Sequence, residues 1–165
     1  MFPDNIEAAA RRVIEGAKRP GLTISTVESC TGGLVGGALT AVAGSSSVYD
    51  RGFITYSNAA KTALVGVPAD LIVAHGAVSE PVARAMAMGA RRAAAVDLAV
   101  SVTGIAGPGG GSEDKPVGLV HFALAGPGGV LHREERFGDL GREGVRLASV
   151  EVALALLQDA LDQAT

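Results

Sequence analysis

The chain has 165 residues, of which 48% are hydrophobic and 19% charged, with a net charge of −3. That size and apolar fraction suit one domain over residues 1–165 with a substantial core, and they exclude intrinsic disorder. The acidic balance, two Tyr, four Phe and the absence of Trp leave no basic, aromatic-laced surface, so no nucleic-acid partner is expected.

In chain order, Ile6, Ala10, Val13 and Ala17 recur at helical spacing, and Pro20-Gly21 ends that helix. Leu22 to Val27 is rich in β-branched residues and reads as a strand. Gly32 to Thr40 reads as a helix of small residues closed by Gly44. Gly52 to Tyr56 is a second short strand. Asn58 is the expected cap of a helix over Ala59–Val65, and Pro68 opens a short helical turn through Leu71 and Ile72. Ser79-Glu80-Pro81 starts a helix that runs to about Ala95.

Leu98 to Val102 is an apolar run of the kind that fills the middle of a sheet. Gly118–Leu124 and Val130–Phe137 are strands joined by Gly126-Pro127-Gly128-Gly129. Asp139 or Gly141 opens a last helix carried by Val145, Ala148, Val152, Leu156 and Leu157. The order α-β-α-β-α-α-β-β-β-α predicts a three-layer α/β/α sandwich around a mixed, mostly parallel sheet of about five strands. Cys30 stands alone, which excludes an internal disulfide and suits a reducing compartment. The first residues lack a basic and apolar leader pattern, and no stretch of about 18 residues is apolar throughout. A cytoplasmic location is therefore expected, with no membrane span.

Chemistry concentrates at the first strand-to-helix junction, Thr26-Val27-Glu28-Ser29-Cys30-Thr31-Gly32-Gly33. Backbone N–H groups point outward unpaired at such a junction and can hold an anion or a developing oxyanion. The plain alternative is that Ser29 and Thr31 cap the helix. Cys30 is either a nucleophile or a small buried hydrophobe. A second feature is the Gly-rich stretch from Thr103 to Pro116, which leaves the carboxyl end of the central strand, where open α/β sheets bind ligands. Its spacing matches neither a dinucleotide fingerprint nor a phosphate-binding P-loop. The glycines would allow close ligand approach or a closing lid, so Gly107→Val is expected to harm activity more than stability.

Tyr56 and Lys61 are placed to face the same sheet edge as Ser29, although a lysine on a helix is usually solvated. His75, His121 and His132 lie far apart in sequence without ligand spacing, so no metal site is expected. No histidine is placed to serve Ser29, and no Gly-x-Ser-x-Gly elbow surrounds it.

Taken together, Glu28-Ser29-Cys30-Thr31-Gly32-Gly33, Thr55-Tyr56-Ser57-Asn58 with Lys61, Gly76 to Pro81, Thr103 to Pro108, Lys115 to Gly118 and the pair Arg142-x-x-x-Arg146 resemble the CinA C-terminal domain family. The likeness runs in order from about Ile6 to Leu157. It implies a stand-alone nicotinamide-nucleotide amidase, which converts nicotinamide mononucleotide to nicotinate mononucleotide and ammonia with no cofactor and no metal. A non-catalytic nucleotide-binding module is the alternative.

On the enzymatic reading, Ser29 is the nucleophile and the N–H groups of Thr31, Gly32 and Gly33 receive the oxyanion. Lys61 is the base only if neutral, which requires a fall of roughly three pKa units, about 4 kcal/mol. Otherwise Tyr56 relays the proton. Gly104, Ile105, Ala106 and Gly107 line the substrate, and Arg142 or Arg146 holds its phosphate. The expected partner is a small nucleotide, and the chain is expected to form a homo-oligomer.

Overall fold

A computed structural model describes residues 1–164. Helix α1 (Asp4–Lys18) leads into strand β1 (Ile24–Glu28), then α2 (Leu34–Thr40), a 3-10 turn (Ser45–Ser47) and β2 (Tyr49–Ile54). Three helices follow: α3 (Asn58–Val65), α4 (Ala69–His75) and α5 (Glu80–Ala94). The chain ends with β3 (Leu98–Gly104), β4 (Leu119–Gly126), β5 (Gly129–Arg136) and α6 (Gly141–Gln163).

The sheet order is β2-β1-β3-β4-β5. Strand β1 pairs in parallel with both β2 and β3, whereas β3–β4 and β4–β5 are antiparallel. Only β4 therefore runs against the rest, and the sheet is mixed as expected. Strand alternation sends Val100 and Val102 of β3, with Val120, Phe122 and Leu124 of β4, to one face under α1, α2 and α6. Val27 and Ala99, together with Ala123 and Ala125, pack on the other face under the helices α3 to α5. Small residues on that second face let α5 lie close, and Ser101 Oγ donates to Ala83 O at 2.7 Å across it.

Several boundaries differ from the sequence reading, each for a local reason. Helix α2 starts at Leu34 because Gly32 and Gly33 have φ of +58° and +104°, outside the helical region. Strand β2 begins at Tyr49 and stops at Ile54, so Tyr56 lies past its end. Asp50 and Arg51 are tolerated there because β2 is an edge strand with exposed faces. Ser57, not Asn58, caps α3 by accepting from Ala60 N at 3.0 Å. The turn at Pro68 continues to His75 as α4, which makes three consecutive helices. The hairpin register sets His121 opposite Glu134 and Ala123 opposite His132. Two histidines read as distant are thus brought to 2.9 Å, because a tight hairpin makes residues eleven apart diagonal neighbours.

Candidate functional site

Strand β1 delivers Ser29 to the sheet's carboxyl edge. Ser29 N still donates to Val102 O at 2.9 Å, so the residue is held by one last ladder bond before the chain turns. Gly32 N donates back to Ser29 O at 3.0 Å and closes that turn. The helix terminus beyond it is already satisfied by Glu28. Its buried carboxylate accepts from Thr31 Oγ1 at 2.7 Å, Val35 N at 2.9 Å, Gly36 N at 3.0 Å and Thr26 Oγ1 at 3.3 Å. Neither Ser29 nor Thr31 caps α2, which corrects the plain alternative. The helix N-terminus is filled by the protein's own anion, the position that macrodipole and free N–H groups favour. A carboxylate closing an apolar strand two residues after Thr26 and three before Thr31 was the signal for this role.

Lys61 projects from α3 into the same edge. It is 1% exposed, and Nζ donates to Thr55 O at 2.8 Å and to Ser29 Oγ at 3.2 Å. Burial pushes its pKa below the ordinary lysine value. The solvated-lysine expectation therefore fails, because α3 packs beside α5 and β2 and turns this side chain inward to Ser29 Oγ and Thr55 O. Cys30 sits in the apolar core with its thiol pushed up to about 12, chiefly by burial. It stays protonated and behaves as a small hydrophobe.

Arg142, at the start of α6, donates from Nη1 to Gly107 O at 2.8 Å and from Nη2 to Tyr56 Oη at 3.2 Å. Tyr56 is 58% exposed and stands on the rim. Arg146, one turn on, gives its guanidinium to Cys30 O at 3.1 Å and Thr31 O at 3.2 Å. It braces the junction from behind, while Arg142 faces the open side.

These groups surround a cavity of about 280 Å³. Ser29, Lys61, Tyr56, Arg142 and residues 104–107 line it, whereas Thr31, Gly32, Gly33 and Arg146 do not. Asn58, Thr103, Ala77 and Val78 also line it and were read from the sequence only as parts of caps and motifs, not as site residues. Two larger grooves, of about 410 and 420 Å³, flank the hairpin between Gly126 and Val130 and contain no nucleophile–base pair. Asp97 in one of them is already committed to Thr23 N and Oγ1. Among the described residues, no group of three or more His, Cys, Asp or Glu is arranged to hold a metal ion.

Gly104, Gly107 and Gly111 of the 103–116 loop serve the chain's own packing, whereas a Cβ on Gly109 or Gly110 would meet no close contact, and both line the cavity. A Cβ on Gly104 would lie 2.6 Å from Val120 Cγ2 and 2.9 Å from Leu119 O. One on Gly107, at φ +79°, would meet Val117 Cγ1 at 2.6 Å. Gly107→Val is therefore expected to lower Tm along with activity, against the expectation that activity suffers more than stability. Strain at positive φ and overpacking each cost about 1–3 kcal/mol. Thermal denaturation beside an activity assay checks this, and an unchanged Tm would restore the ligand-only reading.

A sheet of this order with a buried serine–lysine pair at its carboxyl edge defines a small α/β domain built around one polar cleft. A family model described as the CinA C-terminal domain matches residues 6–161, and the chain belongs to that family. It is 54% identical over 162 residues to a CinA-like protein of Anaeromyxobacter sp. strain Fw109-5, and 52% identical over 153 residues to one of Parasynechococcus marenigrum. Those matches cover 98% and 92% of this chain but only 39% and 36% of the relatives, so the chain spans under two fifths of their length. The crystal structure of the competence/damage inducible protein CihA from Agrobacterium tumefaciens superposes with a TM-score of 0.95 at 54% identity, covering 98% of both chains. A CinA superfamily protein from Klebsiella pneumoniae gives 0.91 at 34% identity, covering 96% of this chain and 98% of that one.

Proposed function

We propose that this domain is an amidase that hydrolyses the carboxamide of nicotinamide mononucleotide to nicotinate mononucleotide and ammonia. The observation that carries this reading is the buried Lys61 amine against Ser29 Oγ at 3.2 Å. An ammonium enclosed in this way favours its neutral form. With one N–H spent on Thr55 O, the amine lone pair is free to take the Ser29 proton.

Ser29 Oγ then attacks the carboxamide carbon, and the oxyanion is assigned to backbone N–H groups of the cavity wall formed by Cys30 and the 104–107 segment. Collapse of the tetrahedral adduct breaks the C–N bond. Lys61 returns the proton to the departing nitrogen, and ammonia leaves. Water, deprotonated by the same amine, attacks the acyl-enzyme and releases the carboxylate and Ser29. Direct contact between Lys61 and Ser29 makes a relay through Tyr56 unnecessary. Tyr56 instead meets Arg142 on the rim.

The small apolar walls from Ala77, Val78 and Ala106 suit a flat pyridine ring, and the Arg142 guanidinium suits a phosphate at the mouth. Incubating the pure chain with nicotinamide mononucleotide and measuring ammonia and nicotinate mononucleotide tests the proposal. Binding of the nucleotide without ammonia release would leave a nucleotide-binding module.

Arg142→Ala is expected to raise KM for the nucleotide with a smaller change in kcat. A charged hydrogen bond contributes about 1.5–3 kcal/mol, or roughly 10- to 150-fold. The dephosphorylated riboside should be nearly indifferent to the same change. If the variant still prefers nucleotide over riboside as strongly as the wild type, Arg142 does not hold the phosphate.

A further inference from the structure

Among the described residues, two buried side-chain atoms lack a hydrogen-bond partner, Thr55 Oγ1 and Gln158 Oε1. Gln158 lies on α6 toward α1, away from the Ser29 cavity. Thr55 sits between the end of β2 and the start of α3 and is fully buried. Its main chain is committed on both sides. Thr55 N donates to Glu28 O at 2.8 Å, and Thr55 O accepts from Lys61 Nζ at 2.8 Å. Only the hydroxyl of this residue is left over. An unpaired buried hydroxyl is costly to the fold, so its presence calls for a physical reason.

Lys61 shows the complementary gap. A neutral amine has two N–H groups and a lone pair, whereas an ammonium has three N–H groups and accepts nothing. In the neutral form one N–H goes to Thr55 O and the lone pair serves Ser29 Oγ. Once Lys61 has taken the Ser29 proton, one N–H stays on Thr55 O and one points back along the line to Ser29. A third then needs an acceptor, and at 1% exposure bulk water does not supply it. Hydrogen bonds from a charged donor are the strong ones, so a missing acceptor weighs most on the ammonium. Thr55 does not line the cavity, so its hydroxyl is set behind the wall that a substrate meets. The residue whose carbonyl already holds the amine thus carries a buried oxygen with nothing to accept. Rotation about its Cα–Cβ bond moves Oγ1 among staggered positions without disturbing either main-chain bond.

We propose that Thr55 is a positioning residue for Lys61, whose hydroxyl accepts the third N–H of the ammonium formed when Lys61 takes the Ser29 proton. This rests on the reading of Lys61 as the base. The hydroxyl gains its partner only in the charged state, so its effect falls on the barrier and not on the resting fold. An acceptor for the ammonium also sustains the basicity that burial lowers. The Cys30 thiol acts on the amine in the same direction. Tyr56 and Arg142 share the cavity wall with Lys61, and the Glu28 carboxylate is turned to the N–H groups of α2. On β2, α4 and α5, which pack against α3, the charged groups stay at the surface: Asp50 with Arg51, Asp70, His75, and Glu80 with Arg84.

The test compares Thr55→Val, which removes the hydroxyl at nearly constant shape, with Thr55→Ser, which keeps it. The Lys61 Cε chemical shift is followed against pH by NMR in the chain alone, with no substrate. The lysine pKa should fall by about one unit or more in Thr55→Val and stay near wild type in Thr55→Ser. With nicotinamide mononucleotide, Thr55→Val should lower kcat roughly tenfold, leave KM within about twofold and move the acid limb of kcat to lower pH. Serine should restore all three. The Tm of Thr55→Val should hold or rise, because the change removes an unpaired buried hydroxyl. Thr55→Ala removes the same hydroxyl and should lower the lysine pKa whatever it does to Tm. The proposal is overturned if neither variant moves the lysine titration or if serine does not restore it. It is also overturned if Thr55→Val lowers Tm by more than about 4 °C, since the hydroxyl would then be paired in the resting fold. A chain that releases no ammonia but shows the shifted titration would sink the amidase reading and keep this contact. Ammonia release with an unmoved titration would sink the contact alone.

Discussion

Ser29→Ala is expected to abolish ammonia release from nicotinamide mononucleotide while leaving nucleotide affinity within about tenfold. A nucleophile forms its bond only along the reaction path, so its loss falls on kcat rather than on ground-state binding. Losses of about 10⁴-fold or more are typical when such a group is removed. The fold should tolerate the change. Ser29 Oγ accepts from Lys61 alone, and Lys61 keeps its bond to Thr55 O. Cys30→Ser is the matched control next door. It should keep kcat near wild type but lower Tm, because it places a hydroxyl in an apolar site that holds a protonated thiol. Single-turnover assays and equilibrium binding separate the two effects. An alanine variant that retains more than a tenth of wild-type kcat would falsify the nucleophile assignment.

Lys61→Met should remove activity almost as completely, and the wild-type pH profile should show why. Only the neutral amine is a base, so kcat should rise with pH as Lys61 loses its proton and level off above its lowered pKa. The sign of the stability effect follows from the same shift. The unfolded chain titrates this lysine near about 10.4, above the folded value, so between the two the unfolded state binds more protons. Stability contributed through this group therefore rises with pH across that window and is lowest below it. Lys61→Met should flatten both dependences, since methionine fills similar space without a titrating group. A wild-type kcat that stays constant through the acidic limb would move the base elsewhere, as would a methionine variant with more than a tenth of the activity.

The sequence by itself determined the layers and nearly every element. Helical spacing of Ile6, Ala10, Val13 and Ala17 and the unbroken apolar run at Leu98–Val102 are local patterns, and burial on one face or both leaves them directly in the chain. The candidates Ser29, Lys61 and Tyr56 were legible as residue types at the ends of elements. Tertiary structure decided what they meet. Lys61 reads as an ordinary surface lysine until α3 packs beside α5 and β2, and only that packing strips its water and sets it beside Ser29. Which arginine faces the cavity is settled by one turn of α6, a rotation that the Arg142-x-x-x-Arg146 spacing does not specify. Glu28 and the His121–His132 pair were missed for a related reason. Their roles come from donors and partners that folding brings together, Val35 and Gly36 across a turn and Glu80 from another layer. Hydrophobic periodicity is written into neighbouring residues, whereas hydrogen-bond partnership and desolvation are properties of the assembled fold.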